Sequence, residues 1–188
     1  MTTLTLANQL TLLRMFLIPA FVILVVYDHL GWALVVFFAA GVTDGLDGLI
    51  ARITNQRTSL GAWLDPAADK LLLVTTFVTL SLPNLNLTNR IPVWLTVLMI
   101  SRDVVIVLTV AVVSLALGPR SFRPSMFGKI ATATYILTSV VVMFFNYLRQ
   151  ESPLVTVGVY ACLVVTLVSG LHYVVLARRI INETPASS

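Results

Sequence analysis

The chain of 188 residues has only eight acidic side chains. Four of them, Asp44, Asp47, Asp65 and Asp69, fall in one segment, residues 42–73, VTDGLDGLIARITNQRTSLGAWLDPAADKLLL. Asp44 and Asp47 are three apart, so on a helix they stand about 60° from each other on one face. Gly48 and Ala51 share that arc. On the next predicted helix Gly61, Asp65 and Asp69 recur every four residues, a nearly straight stripe. Pro66 is expected to mark a helix start or a kink there. Small residues let a ligand approach the backbone, and carboxylates hold something positive. Four carboxylates on two facing helices repel one another in a low-dielectric setting and need cations. With oxygen ligands and no histidine or cysteine nearby, hard ions fit: Mg²⁺ or Mn²⁺, with Ca²⁺ as an alternative. Such ions suit a phosphate or diphosphate substrate, and a carboxylate left free by them can take a proton from an attacking hydroxyl. The bland alternative is that these aspartates cap helices or pair with Arg52, Arg57 and Lys70. It gives no reason for a small residue one turn from the carboxylates.

The elements that must position these residues follow from hydropathy. The composition is 58% hydrophobic and 11% charged, whereas soluble domains carry about 25% charged residues. Six apolar segments are predicted, at about 10–27, 31–52, 62–82, 92–117, 129–148 and 154–180, separated by turn-rich breaks such as LPNLNLTNR and LGPRSFRP. No period-two alternation suggests a barrel, so the expected fold is an all-α integral membrane protein of six transmembrane helices in one domain, 1–188. No internal repeat of the transporter kind is visible. The N-terminus lacks the basic region and cleavage site of a secretory leader, so the first run is expected to be a retained span. Arg52, Arg57, Arg120, Arg123, Lys129, Arg178 and Arg179 fall on one side of six spans, against Arg90 and Arg149 on the other. The positive-inside rule then puts both termini and the aspartate segment at the cytoplasmic face of a bacterial inner membrane. The net charge of +4 suits anionic lipid headgroups, and the scattered basic residues give no footprint for nucleic acid. The single cysteine, Cys162, reads as a buried inert thiol.

The pattern D-x-x-D-G-x-x-A-R-x8-G-x3-D-x3-D, here Asp44, Asp47, Gly48, Ala51, Arg52, Gly61, Asp65 and Asp69, resembles the signature of the CDP-alcohol phosphatidyltransferases at every defined position. The resemblance implies a six-helix membrane enzyme, commonly a homodimer. Such an enzyme moves a phosphatidyl group from a CDP-linked donor, here CDP-diacylglycerol, to an alcohol and releases CMP. It further implies that Asp44, Asp47, Asp65 and Asp69 hold two divalent ions and that Asp69 is the base on the acceptor hydroxyl. Asp47, Gly48, Ala51, Arg52 and Gly61 would accommodate the CDP moiety.

For the acceptor, NQLTLLR, with Asn8, Thr11 and Arg14, is similar to the opening of bacterial phosphatidylglycerophosphate synthases. RIPVWLTVLMISRDVVIV and RPSMFGKIATATYIL look closer to the cardiolipin synthases of the same fold. Glycerol 3-phosphate is the expected acceptor, because its enzyme is the commoner bacterial member of the family, with phosphatidylglycerol as the alternative. Arg102 and Asp103 are the only charges inside the fourth segment, and intramembrane charges usually face the protein interior or a wet cavity. Arg102, with Lys129 and Arg14, is expected to bind the acceptor phosphate, since arginine grips phosphate in a bidentate way. Adjacent on a helix, Arg102 and Asp103 are expected to point to different faces; the alternative partner for Arg102 is a motif aspartate. Trp32, Trp63 and Trp94 read as interface anchors. A small cation transporter is the reading from a different class. It would place the carboxylates deep in the membrane, away from Arg52 and Arg57. A membrane scaffold would leave the glycine and alanine spacing unexplained.

Overall fold

A computed structural model of the protein describes the backbone of residues 6–53, 59–117 and 126–182. The side chains of residues 6–8, 44–53, 59–67, 110, 112–114, 116–117, 174 and 176–182 lie outside the described set. The described chain is helical: α1 (Leu6–Val26), α2 (Leu30–Ile53), α3 (Ser59–Ser81), α4 (Val93–Leu117), α5 (Met126–Tyr147) and α6 (Pro153–Asn182). Each predicted segment is one of these helices. α1, α3 and α5 begin three or four residues before the apolar runs. Backbone hydrogen bonding continues into polar first turns, which hydropathy does not register. One consequence is a correction: Pro66 lies inside α3, which begins at Ser59, and does not start that helix.

Among the described residues, three helices are long and apolar enough to cross a membrane: Gln9–Val26, Met126–Tyr147 and Pro153–Tyr173. Leu30–Thr43 is a shorter apolar helix. Phe16, Trp32, Leu137 and Leu171 are each about two-thirds or more exposed. Large apolar side chains displayed this densely fit a lipid solvent, and the chain is a membrane protein.

The chain falls into two compact units, Met1–Arg90 with Val142–Ser152, and Ile91–Val141 with Pro153–Ser188. In the first, α1 packs against both α2 and α3. Its inner stripe is Thr11, Arg14, Ile18, Phe21 and Val25, spaced three or four apart as one helix face requires. Ala33, Phe37 and Ala40 form the buried stripe of α2, and Phe21 meets Phe37 with ring centroids 6.1 Å apart. Ala68, Leu72, Thr76 and Leu80 form that of α3, the helix carrying Asp69.

Two helix ends in this unit share one geometry. The N–H of His29 donates to Leu24 O (2.8 Å) and that of Asp28 to Val25 O (3.1 Å). At the end of α5, Gln150 N–H donates to Phe145 O and Arg149 N–H to Asn146 O, both at 3.1 Å. Both are Schellman motifs, whose left-handed residue is usually glycine. Here that residue is Asp28 (φ 65°) or Arg149 (φ 56°), and the two side chains form an ion pair. His29 O also accepts from Ala33 N–H at 3.0 Å, so one residue closes α1 and opens α2. The loop before α4 is tied to the same place. Asn89 N–H donates to Asn146 Oδ1 (2.7 Å), and Asn146 Nδ2 donates back to Asn89 O (2.8 Å). Asn146 is wholly buried, so its amide acts as a peptide surrogate for a loop that has no strand or helix to pair with.

In the second unit α4 packs on α6. Tyr135 of α5 and Thr166 of α6 share a hydroxyl hydrogen bond at 2.6 Å, and the Cys162 thiol sits 3.2 Å from Thr138 Oγ1. A β-carbon on Gly158 would lie 2.9 Å from Thr138 Cγ2, so only glycine permits this approach. Polar groups on facing helices and small residues at the contact are how helices associate where water is absent.

Candidate active site

Asp44 and Asp47, with Gly48, Ala51 and Arg52, lie on the C-terminal half of α2, and Gly61, Asp65 and Asp69 on the N-terminal half of α3. The motif is thus carried on helix backbone, turns away from the helix ends for Asp44 and Asp69. Of its residues, Asp69 has a described side chain; those of Asp44, Asp47, Gly48, Ala51, Arg52, Gly61 and Asp65 lie outside the described residues. Among the described residues no three acidic, histidine or cysteine side chains gather as a metal cluster.

The structure brings together two residues that were expected to have separate tasks. Arg14 of α1 donates through Nη1 to Asp69 Oδ1 of α3. The arginine side chain has no exposure, while that of Asp69 is 43% exposed. A buried guanidinium is tolerable only when a carboxylate meets it. Here the carboxylate is held from the protein side and still reachable from outside. The neighbouring Ala68 is fully buried and Lys70 is exposed, so Asp69 sits at the edge between the packed and open faces of α3.

Arg102 and Lys129 belong to the second unit, Arg14 to the first. Lys129 is exposed in the first turn of α5. Arg102 is nine-tenths buried. It donates through Nη1 to Asp103 Oδ1 (2.6 Å) and through Nη2 to Ser169 Oγ of α6, and its Cζ lies 5.8 Å from the centre of the Tyr173 ring. The expectation that adjacent Arg102 and Asp103 would point apart is corrected. Their Cβ directions do diverge on the helix, but the long arginine stem curls back and brings the guanidinium to its neighbour's carboxylate. Ser169 and Tyr173 are partners that sequence reasoning missed. A serine in the apolar run LVSGLHYVV was the available signal, because a polar group on a spanning helix needs a partner.

Trp32 and Trp94 are exposed, in the first turns of α2 and α4; the Trp63 side chain lies outside the described residues. The His172 ring packs against that of Phe127 in a tilted contact, centroids 4.8 Å apart and planes at 49°.

Comparison with known proteins gives the arrangement its context. The chain is 30% identical over 191 aligned positions to a protein of Mycobacterium tuberculosis provisionally named a cardiolipin synthase, covering 97% of this chain and 87% of the relative. A second M. tuberculosis protein, provisionally named a phosphatidylglycerophosphate synthase, is 34% identical, covering 93% and 82% of the two chains. The cardiolipin synthase (CMP-forming) of Homo sapiens is 35% identical over 76% of this chain and 52% of its own length. The profile of the CDP-alcohol phosphatidyltransferase family matches residues 4–175, from the start of α1 into α6 and across the whole aspartate motif. The chain belongs to the CDP-alcohol phosphatidyltransferase family.

Proposed function

We propose that the protein transfers the phosphatidyl group of CDP-diacylglycerol to a glycerol-type alcohol, glycerol 3-phosphate or phosphatidylglycerol, and releases CMP. The observation that carries this is the Arg14–Asp69 pair: a fully buried arginine fixing a half-exposed carboxylate at the last position of the family motif. Asp69 takes the proton of the acceptor hydroxyl. The hydroxyl oxygen forms a bond to the phosphorus bearing diacylglycerol, the bond from that phosphorus to the bridging oxygen breaks, and CMP leaves with the electron pair. Arg14 acts through Asp69, holding the carboxylate in one orientation. Asp47, Gly48, Ala51, Arg52 and Gly61 receive the nucleotide and diphosphate.

The oxygen-only donor set of Asp44, Asp47, Asp65 and Asp69 fits two Mg²⁺ or Mn²⁺ ions, and the accessible carboxylate of Asp69 is compatible with that use. Such ions neutralise diphosphate charge and polarise the phosphoryl group. All six helices are read as spans of one catalytic domain, with both termini and the site toward the cytoplasm of a bacterial inner membrane. The working form is read as a homodimer, its surface in contact with membrane lipids. Purified protein in detergent, given CDP-diacylglycerol and each acceptor with Mg²⁺ or Mn²⁺, is expected to release CMP and to stop on chelation with EDTA. No release with any alcohol would overturn this reading. Release that survives chelation would remove the ions from it.

A further inference from the structure

A cavity of about 660 Å³ lies where α1 ends, α2 begins and α5 ends, and every residue lining it belongs to the first unit. From Trp32 in its wall to Asp44 is twelve residues along α2, about 18 Å of helix axis, so it is a place apart from the aspartate motif. Its rim is charged. Asp28 and Arg149, the ion pair of the two left-handed helix ends, both line it with more than 40% of their side chains exposed. Trp32 and Tyr147 line it too, 68% and 54% exposed, and the polar atom of neither ring has a hydrogen-bond partner among the described residues. Further along α2 the lining turns aliphatic, with Leu34 and Val35.

Ion pair, aromatic pair and aliphatic wall follow the order of a phospholipid's own parts, from headgroup to chain. Tryptophan and tyrosine settle at the headgroup level of a bilayer. Arg149 gives Nη1 to Asn86 O (2.9 Å) and Nη2 to Asp28 Oδ2, so most of its five N–H donors are uncommitted. Asp28 Oδ1 likewise has no partner among the described residues.

Charge selects the headgroup. The Asp28–Arg149 pair has no net charge, and a headgroup with a phosphate alone would face Asp28 as well as Arg149. A headgroup bearing both a phosphate and a primary ammonium meets both: phosphate beside guanidinium and ammonium beside carboxylate, so that the charges alternate. A trimethylated ammonium has no N–H to give Asp28 Oδ1. A water-soluble zwitterion would leave the aliphatic wall uncovered. We propose that this recess at the α1–α2 turn binds a zwitterionic phospholipid of the ethanolamine type, with its phosphate on Arg149, its ammonium on Asp28 and a chain along Leu34 and Val35. The site does not depend on the transferase reading, and binding rather than turnover reports it.

The test offers the full-length, delipidated protein in detergent equal amounts of dioleoyl phosphatidylethanolamine, phosphatidylcholine and phosphatidylglycerol, and reads bound lipid by native mass spectrometry. Wild type is expected to retain phosphatidylethanolamine in preference to the other two. Val35→Trp, at a position 55% exposed, fills the recess with the ion pair intact and is expected to remove that lipid. Arg149→Gly, which suits the left-handed backbone, is expected to weaken its binding about tenfold or more, the scale of a lost hydrogen bond to a charged group. Asp28→Asn keeps a residue at home in the left-handed region and is expected to erase the preference for ethanolamine over glycerol headgroups. Equal retention of the three lipids by wild type would overturn the proposal, and so would unchanged phosphatidylethanolamine binding in Val35→Trp or Arg149→Gly. The same spectra count chains per particle. A wild-type dimer that binds no phosphatidylethanolamine and falls to a monomer in Val35→Trp would give the recess to a second copy of the chain and overturn the lipid site.

Discussion

Arg14 is a charge with no water around it, and Asp69 is one carboxylate that offsets it. Removing one partner of a buried pair weakens the compensation of the other, whereas replacing both with neutral groups of similar shape is often tolerated. Asp69→Asn is therefore expected to lower CMP release by about 10²–10⁴-fold, the range for losing a general base, and also to lower the thermal midpoint in detergent. The double variant Arg14→Met/Asp69→Asn should recover much of the midpoint and none of the activity. Recovery of turnover in the double variant would remove Asp69 from the role of base. This pairing was not legible in the sequence. Arg14 and Asp69 are 55 residues apart, and nothing local links the third turn of one helix to the middle of another. What was legible was the motif itself, because Asp44, Asp47, Asp65 and Asp69 stand at helical spacing beside small residues.

At the scale of helices, the ends and crossings are held by residues chosen for reach or for smallness. Arg149 occupies a left-handed position at the end of α5, where a side chain costs about 1–2 kcal/mol, and it pairs with Asp28 in a like position after α1. Both side chains are more than 40% exposed, so the pair contributes only about 0–1 kcal/mol. Arg149→Gly should thus be close to neutral in thermal midpoint, since relief of the backbone offsets the lost pair. Arg149→Ala should be clearly worse, keeping the β-carbon and losing the guanidinium. If alanine proved as good as glycine, the left-handed cap would not govern this end. A second contrast concerns glycine. At Gly158 a methyl group would press on the β-branched, stiff side chain of Thr138. At Gly31 it would meet the edge of the Tyr147 ring, which is 54% exposed and able to swing outward. Gly158→Ala should cost about 1–3 kcal/mol, as overpacking does, while Gly31→Ala should be tolerated; chemical denaturation in detergent reads both. Segment positions were legible because apolar runs alternate with turn-rich breaks along the chain. Gly158 was not, because one sequence does not say which neighbour a glycine is small for.

For the molecule as a whole, the balance of basic residues carries the topology. Arg52, Arg57, Arg120, Arg123, Arg178 and Arg179 gather on one side if six helices cross the bilayer, and cytoplasmic loops hold such an excess. In sealed inside-out vesicles, protease is then expected to remove tags from both termini, and in right-side-out spheroplasts to remove neither. Tags cleaved at opposite faces would require an odd number of crossings. The class of the molecule was readable from composition alone, since 58% hydrophobic residues with 11% charged leave little but a bilayer as solvent. The internal wiring was not. The pair of Asn89 and Asn146, which fixes the loop before α4, joins two asparagines that look unremarkable in sequence and come together only because one must satisfy the other's backbone.

Cys162 has a practical consequence for spectroscopy. It is the only cysteine in the chain, and its sulfur is wholly buried against Thr138. A buried thiol reacts slowly with maleimides, so the wild-type protein is already a dark background for fluorophores and spin labels. One cysteine introduced at an exposed position such as Lys129 or Trp94 would carry the whole signal, and distances could be measured without first stripping the native thiol from its packed site.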